Sequence, residues 1–449
     1  TGPRLVTQIV AVTPKEPTGV ITRYLSKAPP GVFVIYAIFA AFSTYFCMYA
    51  FRKPFSAAKY EGLGFMDTEI NLKTAFVISQ IIGYTISKYL GCKVCSEVSR
   101  SSQAKTLIAM IGIALAALVG FAIAPQNLKV VAIFFNGLPL GMIWGLVSRY
   151  LEGRKTAELL FAGLSCSYIV ASSMVKTVGG WIMEAGVTQF WMPATVGAIF
   201  LIPFCLSVFL LNQLPEPTQE DIDSRNERTT MDGEGRMAFL KQFLPGMIML
   251  LVLYFFLTAY RDFRDNYMPE VFTAMGYADE PTLFSKADLP IAFGIMIVMA
   301  ALNLVKDHQN GLKAVYGVMI GGMMLMAGAT LMYDLKMISG LWWMILIGFG
   351  AYLAYVPFGA VLFERIMAST KAAGTAVFAI YLSDAIGYTG SVGTQLYKDL
   401  GAAELNYFQF LRIFTYSMAA IGTLLFILSG IYFLKKARET KSLSAEDPA

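Results

Sequence analysis

Charged residues are scarce in this chain. Asp, Glu, Lys and Arg make up 14% of its 449 residues and 56% are hydrophobic, whereas a soluble domain is about 25% charged. The mean hydropathy is +0.59. This composition excludes an ordinary soluble protein. It predicts an all-α polytopic membrane protein, because helices satisfy their own backbone hydrogen bonds in lipid.

Histidine and cysteine are also rare, at one and five residues. Cys92 and Cys95 lie near a predicted cytoplasmic turn, where no disulfide is expected. With no second cysteine pair and no nearby histidine, we predict neither a metal site nor a cofactor. No P-loop motif accompanies the apolar segments, so the sequence does not predict an ATP-driven pump. We also expect no covalent chemistry and therefore no enzyme.

Twelve apolar runs are long enough to cross a bilayer, which takes roughly 20 residues. They cover 31–58, 71–91, 104–124, 129–151, 157–182, 190–213, 239–274, 289–306, 312–333, 338–366, 371–397 and 407–434. A charged stretch that begins with two prolines separates six runs from six and is typical of a surface linker. The predicted parts are an N-terminal segment 1–30, a six-helix half 31–214, the linker 215–238, a second half 239–434 and a tail 435–449.

Basic side chains concentrate in alternate connections between these runs. Lys93 follows the second run, Arg154 the fourth and Lys436 the twelfth. The positive-inside rule therefore predicts that both termini are cytoplasmic, with Lys53, Lys59 and Lys73 in the first connection as exceptions. This distribution indicates lipid rather than nucleic acid as the partner. The first ~28 residues lack the apolar segment of a cleaved signal, and we expect a monomer in the cell (inner) membrane.

Two arginines end similar octapeptides in the first and seventh runs. Tyr45-Phe-Cys-Met-Tyr-Ala-Phe-Arg52 and Tyr254-Phe-Phe-Leu-Thr-Ala-Tyr-Arg261 share Tyr, Phe, Ala and Arg. A charge at the centre of a membrane helix costs about 2.5–3.5 kcal/mol on insertion scales. Two guanidinium groups at symmetric positions predict a joint site for a multiply charged, oxygen-rich anion. The alternative for each is an arginine that snorkels to the headgroups.

A second internal match pairs Ile82-Gly-Tyr-Thr85 with Ile386-Gly-Tyr-Thr389 in the second and eleventh runs. Glycine and aromatic residues are common in membrane helices, so a match of this length carries little weight. The octapeptide repeat, the central linker and six runs on each side together describe the major facilitator architecture. In that architecture the site lies between the halves near the bilayer midplane, and the first helix of each half lines it.

Several motifs resemble those of the organophosphate:phosphate antiporter family, which contains the glycerol-3-phosphate and hexose-6-phosphate transporters. In chain order they are Tyr49–Phe55, Tyr84–Lys88, Arg261 with Pro269, Ala354–Pro357 and Lys371–Ala376. Because they sample both halves, the resemblance covers the whole transporter fold. It implies a divergent member that exchanges an organic phosphate, or a similar multivalent anion, for inorganic phosphate by alternating access.

The resemblance also implies roles for individual residues. Arg52 and Arg261 would bind the phosphate, with Tyr84 and Lys88 near it. A rigid guanidinium fork matches phosphate oxygens, which agrees with these roles. The chain has Tyr168 where the family commonly has a histidine in the fifth span. We therefore predict no proton transfer by a histidine at the site. The sequence does not identify the organic part of the substrate.

Two further tyrosines are candidates for substrate binding. Tyr49 precedes Arg52 by three residues and shares its helix face. Tyr355 lies beside Pro357 in a helix that we expect to bend there. Phenol groups donate hydrogen bonds to phosphate or to hydroxyls, although most membrane tyrosines are packing or interfacial residues. Lys53 points about 100° away from Arg52 around a helix, so we expect it to face elsewhere or to close the outer mouth.

Acidic residues within the runs are candidates for coupling or gating. Asp384 lies near mid-bilayer in the eleventh run and needs a partner or a proton; we expect a pair with Lys88 or Arg52. Asp265 lies one turn beyond Arg261 and could pair with it as a gate that ligand breaks. The alternative is a solvated outer helix end. Glu97 and Arg100 are candidates for joining helix ends on the cytoplasmic side.

Two other functions fit the same sequence. A proton-coupled carrier of a carboxylate or zwitterionic solute would use Asp384 or Asp265. A sensor would bind the phosphate compound and signal without transporting it, and a large extra cytoplasmic domain would favour that function. We find no such domain among the predicted segments.

Overall fold

A computed structural model describes residues 19–218, 221, 233–277, 280–370 and 376–446; within these ranges it leaves out the side chains of 92–97, 158, 233–236, 376–378, 381 and 441–446. The described chain is almost entirely helical. An isolated antiparallel bridge joins Gly64 to Asn71 in the first long connection. Most of the predicted linker lies outside the described residues, and so do residues 371–375 of the motif that resembles the antiporter family.

The first part of the chain begins with a short helix, α1 (Val20–Lys27). The longer helices, each built on an apolar run, are α2 (Pro30–Tyr49), α3 (Leu72–Glu97), α4 (Arg100–Ile123), α5 (Lys129–Ser148), α6 (Ala157–Glu184) and α7 (Met192–Asn212). Short 3-10 helices lie at Pro54–Ala57 and Gln126–Leu128.

The helices of the second part of the chain begin at Gly233, inside the predicted linker 215–238, and end with the longest helix of the described chain. They are α8 (Gly233–Gln242), α9 (Leu244–Asn266), α10 (Met268–Ala274), α11 (Thr282–Asn303), α12 (His308–Asp334), α13 (Gly340–Pro357), α14 (Phe363–Thr370), α15 (Ala376–Leu400) and α16 (Tyr407–Glu446). A π-helical turn, Phe358–Leu362, joins α13 to α14.

Ten helical segments in the described part of the chain are long and apolar enough to cross a membrane. The protein is therefore a multi-pass integral membrane protein. Helices α3 and α15 are comparably long, at 26 and 25 residues. They carry Lys88 and Asp384, and such charges lower the hydropathy of a span. A total of twelve spans stays a prediction.

Packing joins the helices into two groups, which we call the N-terminal helices (α2–α7) and the C-terminal helices (α9–α16). Helix α2 packs on α6 and α7, and α3 on α5; in the second group α9 packs on α15 and α16, and α12 on α13. Between the groups, the extensive contacts run along α3–α15 and α6–α11. In the order of predicted spans these are the second with the eleventh and the fifth with the eighth, as a pseudo-twofold axis requires.

The first predicted span ends earlier than expected. We expected a span over 31–58, but α2 ends at Tyr49 and the 3-10 helix begins at Pro54. Proline lacks a backbone N–H and disfavours the α conformation of the residue before it. Arg52 therefore lies in a turn at the end of α2, not in mid-helix, although its side chain is only 6% exposed.

The seventh predicted span, 239–274, is divided among α8, α9 and α10. The breaks fall at Phe243 and Tyr267, each two residues before a proline that occupies the first turn of the next helix. The eighth span begins at Thr282 rather than at residue 289. The expected bend near Tyr355 is present as the end of α13 at Pro357 and the π-helical turn after it.

Candidate functional site

Each of the two repeat arginines lies over an aromatic ring. The Cζ atom of Arg52 lies 3.9 Å from the ring centre of Tyr84 in α3. The Cζ atom of Arg261 lies 4.1 Å from the ring centre of Tyr355 in α13. Such cation–π contacts favour a guanidinium group away from bulk water. Both copies of the repeat therefore place the arginine over a ring, and the two rings come from helices that are not equivalent in the two halves.

The two arginines also face the same group of tyrosines. Tyr49 and Tyr388 each interact electrostatically with both Arg52 and Arg261. The ring centre of Tyr49 lies 5.8 Å from the Cζ atom of Arg52. Both cations therefore border one region between the N-terminal and the C-terminal helices.

The turn that carries Arg52 is fixed by a buried amide network. Gln80 Nε2 donates to the carbonyl oxygen of Arg52 at 2.9 Å and to Asn136 Oδ1 at 2.8 Å. Asn136 Nδ2 donates to the carbonyl oxygens of Phe51 at 2.9 Å and Ala114 at 3.1 Å. These bonds hold the backbone and leave the side chain available. Within the described structure, the buried Nε of Arg52 has no hydrogen-bond partner.

Arg261 pairs with the next residue along α9. Its Nη2 lies 2.7 Å from Asp262 Oδ1, and Asp262 Oδ2 accepts a 2.8 Å hydrogen bond from Ser391 in α15. The expected pair between Arg261 and Asp265 is therefore wrong. Asp265 turns instead toward the N-terminal helices.

Asp265 is bound by two lysines. Its carboxylate lies 2.6 Å from Lys53 Nζ and 2.7 Å from Lys176 Nζ, and it accepts a 2.6 Å hydrogen bond from Ser172. Lys176 is fully buried, and Asp265 is 7% exposed. The alternative of a solvated outer helix end is wrong as well, because Asp262 and Arg264 beside it are 5% and 2% exposed.

Several contacts close one end of the interface between the two helix groups. Besides Lys53–Asp265 they are Lys73–Glu270 at 2.5 Å, Thr74–Tyr267 at 2.8 Å and Asn71 N–Asp399 at 2.9 Å. We call this set the clasp. It accounts for two of the three exceptions to the charge alternation, since Lys53 and Lys73 are buried in the clasp rather than exposed in a loop.

Asp384 has the partner that the sequence predicts. Its Oδ2 lies 2.5 Å from Lys88 Nζ, so the prediction of a pair is confirmed and, of the two expected partners Lys88 and Arg52, the partner is Lys88. Its Oδ1 accepts a 3.0 Å hydrogen bond from Tyr254 OH. Lys88 also lies 5.5 Å from the ring centre of Tyr84 and 4.9 Å from that of Tyr388.

These contacts connect the two arginines through a continuous series of side chains, which we call the aromatic arc. Tyr254 and Tyr355 stack with their ring centres 5.3 Å apart, and Tyr84 meets Tyr388 edge-on at 5.5 Å. In order, the arc runs Arg52, Tyr84, Tyr388, Lys88, Asp384, Tyr254, Tyr355, Arg261. Both tyrosines of the discounted four-residue match, Tyr84 and Tyr388, belong to it.

Two glycines of the same match let the helices approach closely. A Cβ on Gly83 would lie 2.4 Å from the Phe134 carbonyl oxygen, and one on Gly387 would lie 2.5 Å from Thr258 Oγ1. Sequence reasoning missed Tyr388, Lys176 and these glycines as parts of the site. For Tyr388 and the glycines the repeat was a signal of close helix packing, although it does not show that the two copies meet; for Lys176 the repeat gives no signal.

The remaining predicted residues lie at different distances from the arc. Tyr168 packs on Trp144 at 6.3 Å and interacts electrostatically with Arg261. Arg100 donates to the carbonyl oxygen of Leu214 at 2.8 Å, so it joins the start of α4 to the chain after α7. The side chain of Glu97 lies outside the described residues. No cluster of three or more metal-ligating side chains occurs in the part of the chain that the structure describes.

The fold is that of solved transporters. A bacterial homolog of the human lysosomal transporter Spinster, inward-facing and unoccupied, aligns at 13% identity over 91% of this chain and 99% of its own (TM-score 0.59). The nucleoside transporter NupG aligns at 12% identity over 90% and 99% (TM-score 0.59). A peptide transporter POT in complex with sulfate aligns at 14% identity over 93% and 99% (TM-score 0.59). These likenesses define a major facilitator fold.

The sequence identifies the family within that fold. The chain belongs to the family described as a family of unknown function, DUF5690, whose profile matches residues 54–436. No curated protein matches the sequence.

Proposed function

We propose that this protein is a secondary active transporter of an organic phosphate or a similar multivalent anion. One observation carries the proposal: Arg52 and Arg261, from opposite helix groups, lie at the two ends of one continuous series of side-chain contacts, and the buried Nε of Arg52 has no hydrogen-bond partner within the described structure. A buried donor without a partner is costly, and a phosphate oxygen satisfies it.

The charges along the arc support an anionic ligand. Arg52, Arg261 and Lys88 are cationic, whereas Asp262 and Asp384 are the two carboxylates bonded to them. One positive charge is therefore in excess, and it lies on the arginine that is 6% exposed. An uncompensated charge in such a place is unfavourable unless a ligand neutralises it.

Transport would follow from alternating access. A ligand held between the two arginines binds best when the helix groups approach each other, so it favours the closed arrangement by its differential affinity. In the orientation that the charge distribution predicts, the clasp lies on the outer side of the cell (inner) membrane. The resemblance to organophosphate:phosphate antiporters supports inorganic phosphate as the exchanged ion.

A flux measurement tests this function. Proteoliposomes would be loaded with inorganic phosphate, and uptake of labelled glycerol phosphate and hexose phosphates followed with and without a pH gradient. We expect uptake that requires internal phosphate and persists without the gradient. Arg412→Lys is the matched control, since Arg412 is 43% exposed and pairs with Asp334 away from the arc.

The same assay separates the two alternatives. Uptake that needs the pH gradient but no internal phosphate would identify a proton-coupled carrier acting through Asp384 or Asp265. Phosphate binding without flux in either direction would identify a sensor. Absence of both binding and flux for every anion would overturn the proposal.

A further inference from the structure

The Lys88–Asp384 pair differs from the other ion pairs between buried helices in its exposure. The side chains of Lys88 and Asp384 are 18% and 20% exposed. Those of the Arg264–Asp288 pair are 2% and 2% exposed, and Lys176 is fully buried against Asp265. A ligand beside the arc can therefore reach Lys88 and Asp384 more readily than either of these two pairs.

The pair is also adjacent to Arg52, whose buried Nε has no hydrogen-bond partner within the described structure. One ring, that of Tyr84, lies 3.9 Å from the Arg52 guanidinium and 5.5 Å from the Lys88 ammonium. Only the ring of Tyr84 therefore separates Lys88 from an anion that binds Arg52. Lys88 is then attracted by two anions at once, the ligand and Asp384.

We propose that Asp384 is an internal counter-anion that competes with the ligand for Lys88 and thereby sets the affinity of the site. This inference rests on the proposed function in one respect, namely that an anion binds at the arginines. When the ligand is absent, Asp384 neutralises Lys88. When the ligand binds, Lys88 turns to it, and the hydrogen bond from Tyr254 retains the released carboxylate.

The competition has a consequence for the two helix groups. Lys88 belongs to α3 and Asp384 to α15, which pack along the interface between the groups. Exchange of Asp384 for the ligand removes an ion pair from that interface at the moment of binding. Ligand binding is in this way coupled to the contact that holds α3 against α15.

A double-mutant cycle tests the competition. Binding of inorganic phosphate and of sulfate would be measured by calorimetry on the purified full chain in detergent, for the wild type, Asp384→Asn, Lys88→Gln and the double variant. We expect Asp384→Asn to bind both anions about tenfold more tightly when Lys88 is present, and to have little effect when Lys88 is replaced. Asp334→Asn, in a pair remote from the arc, should leave binding unchanged.

Each other outcome overturns the inference. Equal tightening with and without Lys88 would mean a general field effect and no competition. No change in either background would mean a purely structural ion pair. If the wild type binds neither phosphate nor sulfate, the proposed function fails first, so the two failures are distinguishable.

A measurement on the wild type covers the case in which Asp384→Asn is unstable. Reductive methylation of Lys88 would be followed by mass spectrometry with and without phosphate. We expect phosphate to change the methylation rate of Lys88 and not that of Lys286, which is 53% exposed and paired with Glu280. An unchanged rate at Lys88 under saturating phosphate would contradict the exchange.

Discussion

Lys53 Nζ lies 2.6 Å from Asp265 Oδ2 and joins the turn after α2 to the end of α9. The same lysine donates to Asn266 Oδ1 at 2.8 Å. Neighbouring Arg52 faces the aromatic arc, so two adjacent basic residues serve different parts of the molecule. One closes the interface between the helix groups, and the other lies over Tyr84 at one end of the arc.

Replacing the two partners of the Lys53–Asp265 pair should lower the thermal midpoint by different amounts. Asp265→Asn leaves Lys53 and Lys176 facing each other without a carboxylate, and breaking a buried pair costs about 3–5 kcal/mol. Lys53→Gln leaves Asp265 paired with Lys176 at 2.7 Å. We expect a large fall in the thermal midpoint for Asp265→Asn and a smaller one for Lys53→Gln, measured by scanning fluorimetry.

A labelling experiment distinguishes closure of the interface by the clasp from a contribution to stability alone. A cysteine that replaces Ser56, which is buried in the turn beyond Lys53, should become more reactive to a polar maleimide in the Lys53→Gln background. Reactivity should not change in the Asp334→Asn background. Equal labelling in all three proteins would contradict a closing role for the Lys53–Asp265 contact.

Replacing either repeat arginine by lysine should weaken anion binding. The change keeps the charge and removes the fork, and a hydrogen bond to a charged group contributes about 1.5–3 kcal/mol, which is roughly tenfold or more in affinity. Calorimetry with sulfate on Arg52→Lys, Arg261→Lys and the control Arg412→Lys would measure it. Affinities that match the wild type in both site variants would exclude a two-arginine site.

The ring beneath Arg52 gives a finer test. Tyr84→Phe keeps the aromatic face at 3.9 Å from the guanidinium, and Tyr84→Leu removes it. A cation–π contact away from water contributes about 2 kcal/mol. We expect sulfate affinity and thermal midpoint close to the wild type for Tyr84→Phe and clearly lower for Tyr84→Leu. Similar losses in both would assign the effect to the hydroxyl group instead.

How much of the fold and of the site could be predicted from the sequence depends on how far apart the interacting residues lie along the chain. Apolar runs and the positions of Pro54 and Pro357 are local signals, so the helical membrane fold was accessible. The pairing of Asp384 was also accessible, because a mid-bilayer acid needs a partner. The partner of Asp265 was not, since Lys176 lies 89 residues away and meets it only through the packing of α6 against the C-terminal helices.

The match between Ile82–Thr85 and Ile386–Thr389 could not by itself predict the aromatic arc. Its tyrosines, Tyr84 and Tyr388, meet edge-on between α3 and α15. The sequence shows that the four residues repeat. It does not show that the two copies face each other, because that depends on the arrangement of the helix groups. The arc therefore had to be found in the structure.

The glycines of that match should be intolerant of a methyl group. In Gly83→Ala the added Cβ would lie 2.4 Å from the carbonyl oxygen of Phe134, a backbone atom that cannot move alone. Overpacking of this kind costs about 1–3 kcal/mol. We expect a lower thermal midpoint and weaker sulfate binding, because α3 carries both Tyr84 and Lys88. Gly112→Ala, where nothing lies within 4 Å of the new Cβ, is the control and should be neutral or slightly stabilising. Equal thermal midpoints for the two variants would show that α3 and α5 do not pack this closely.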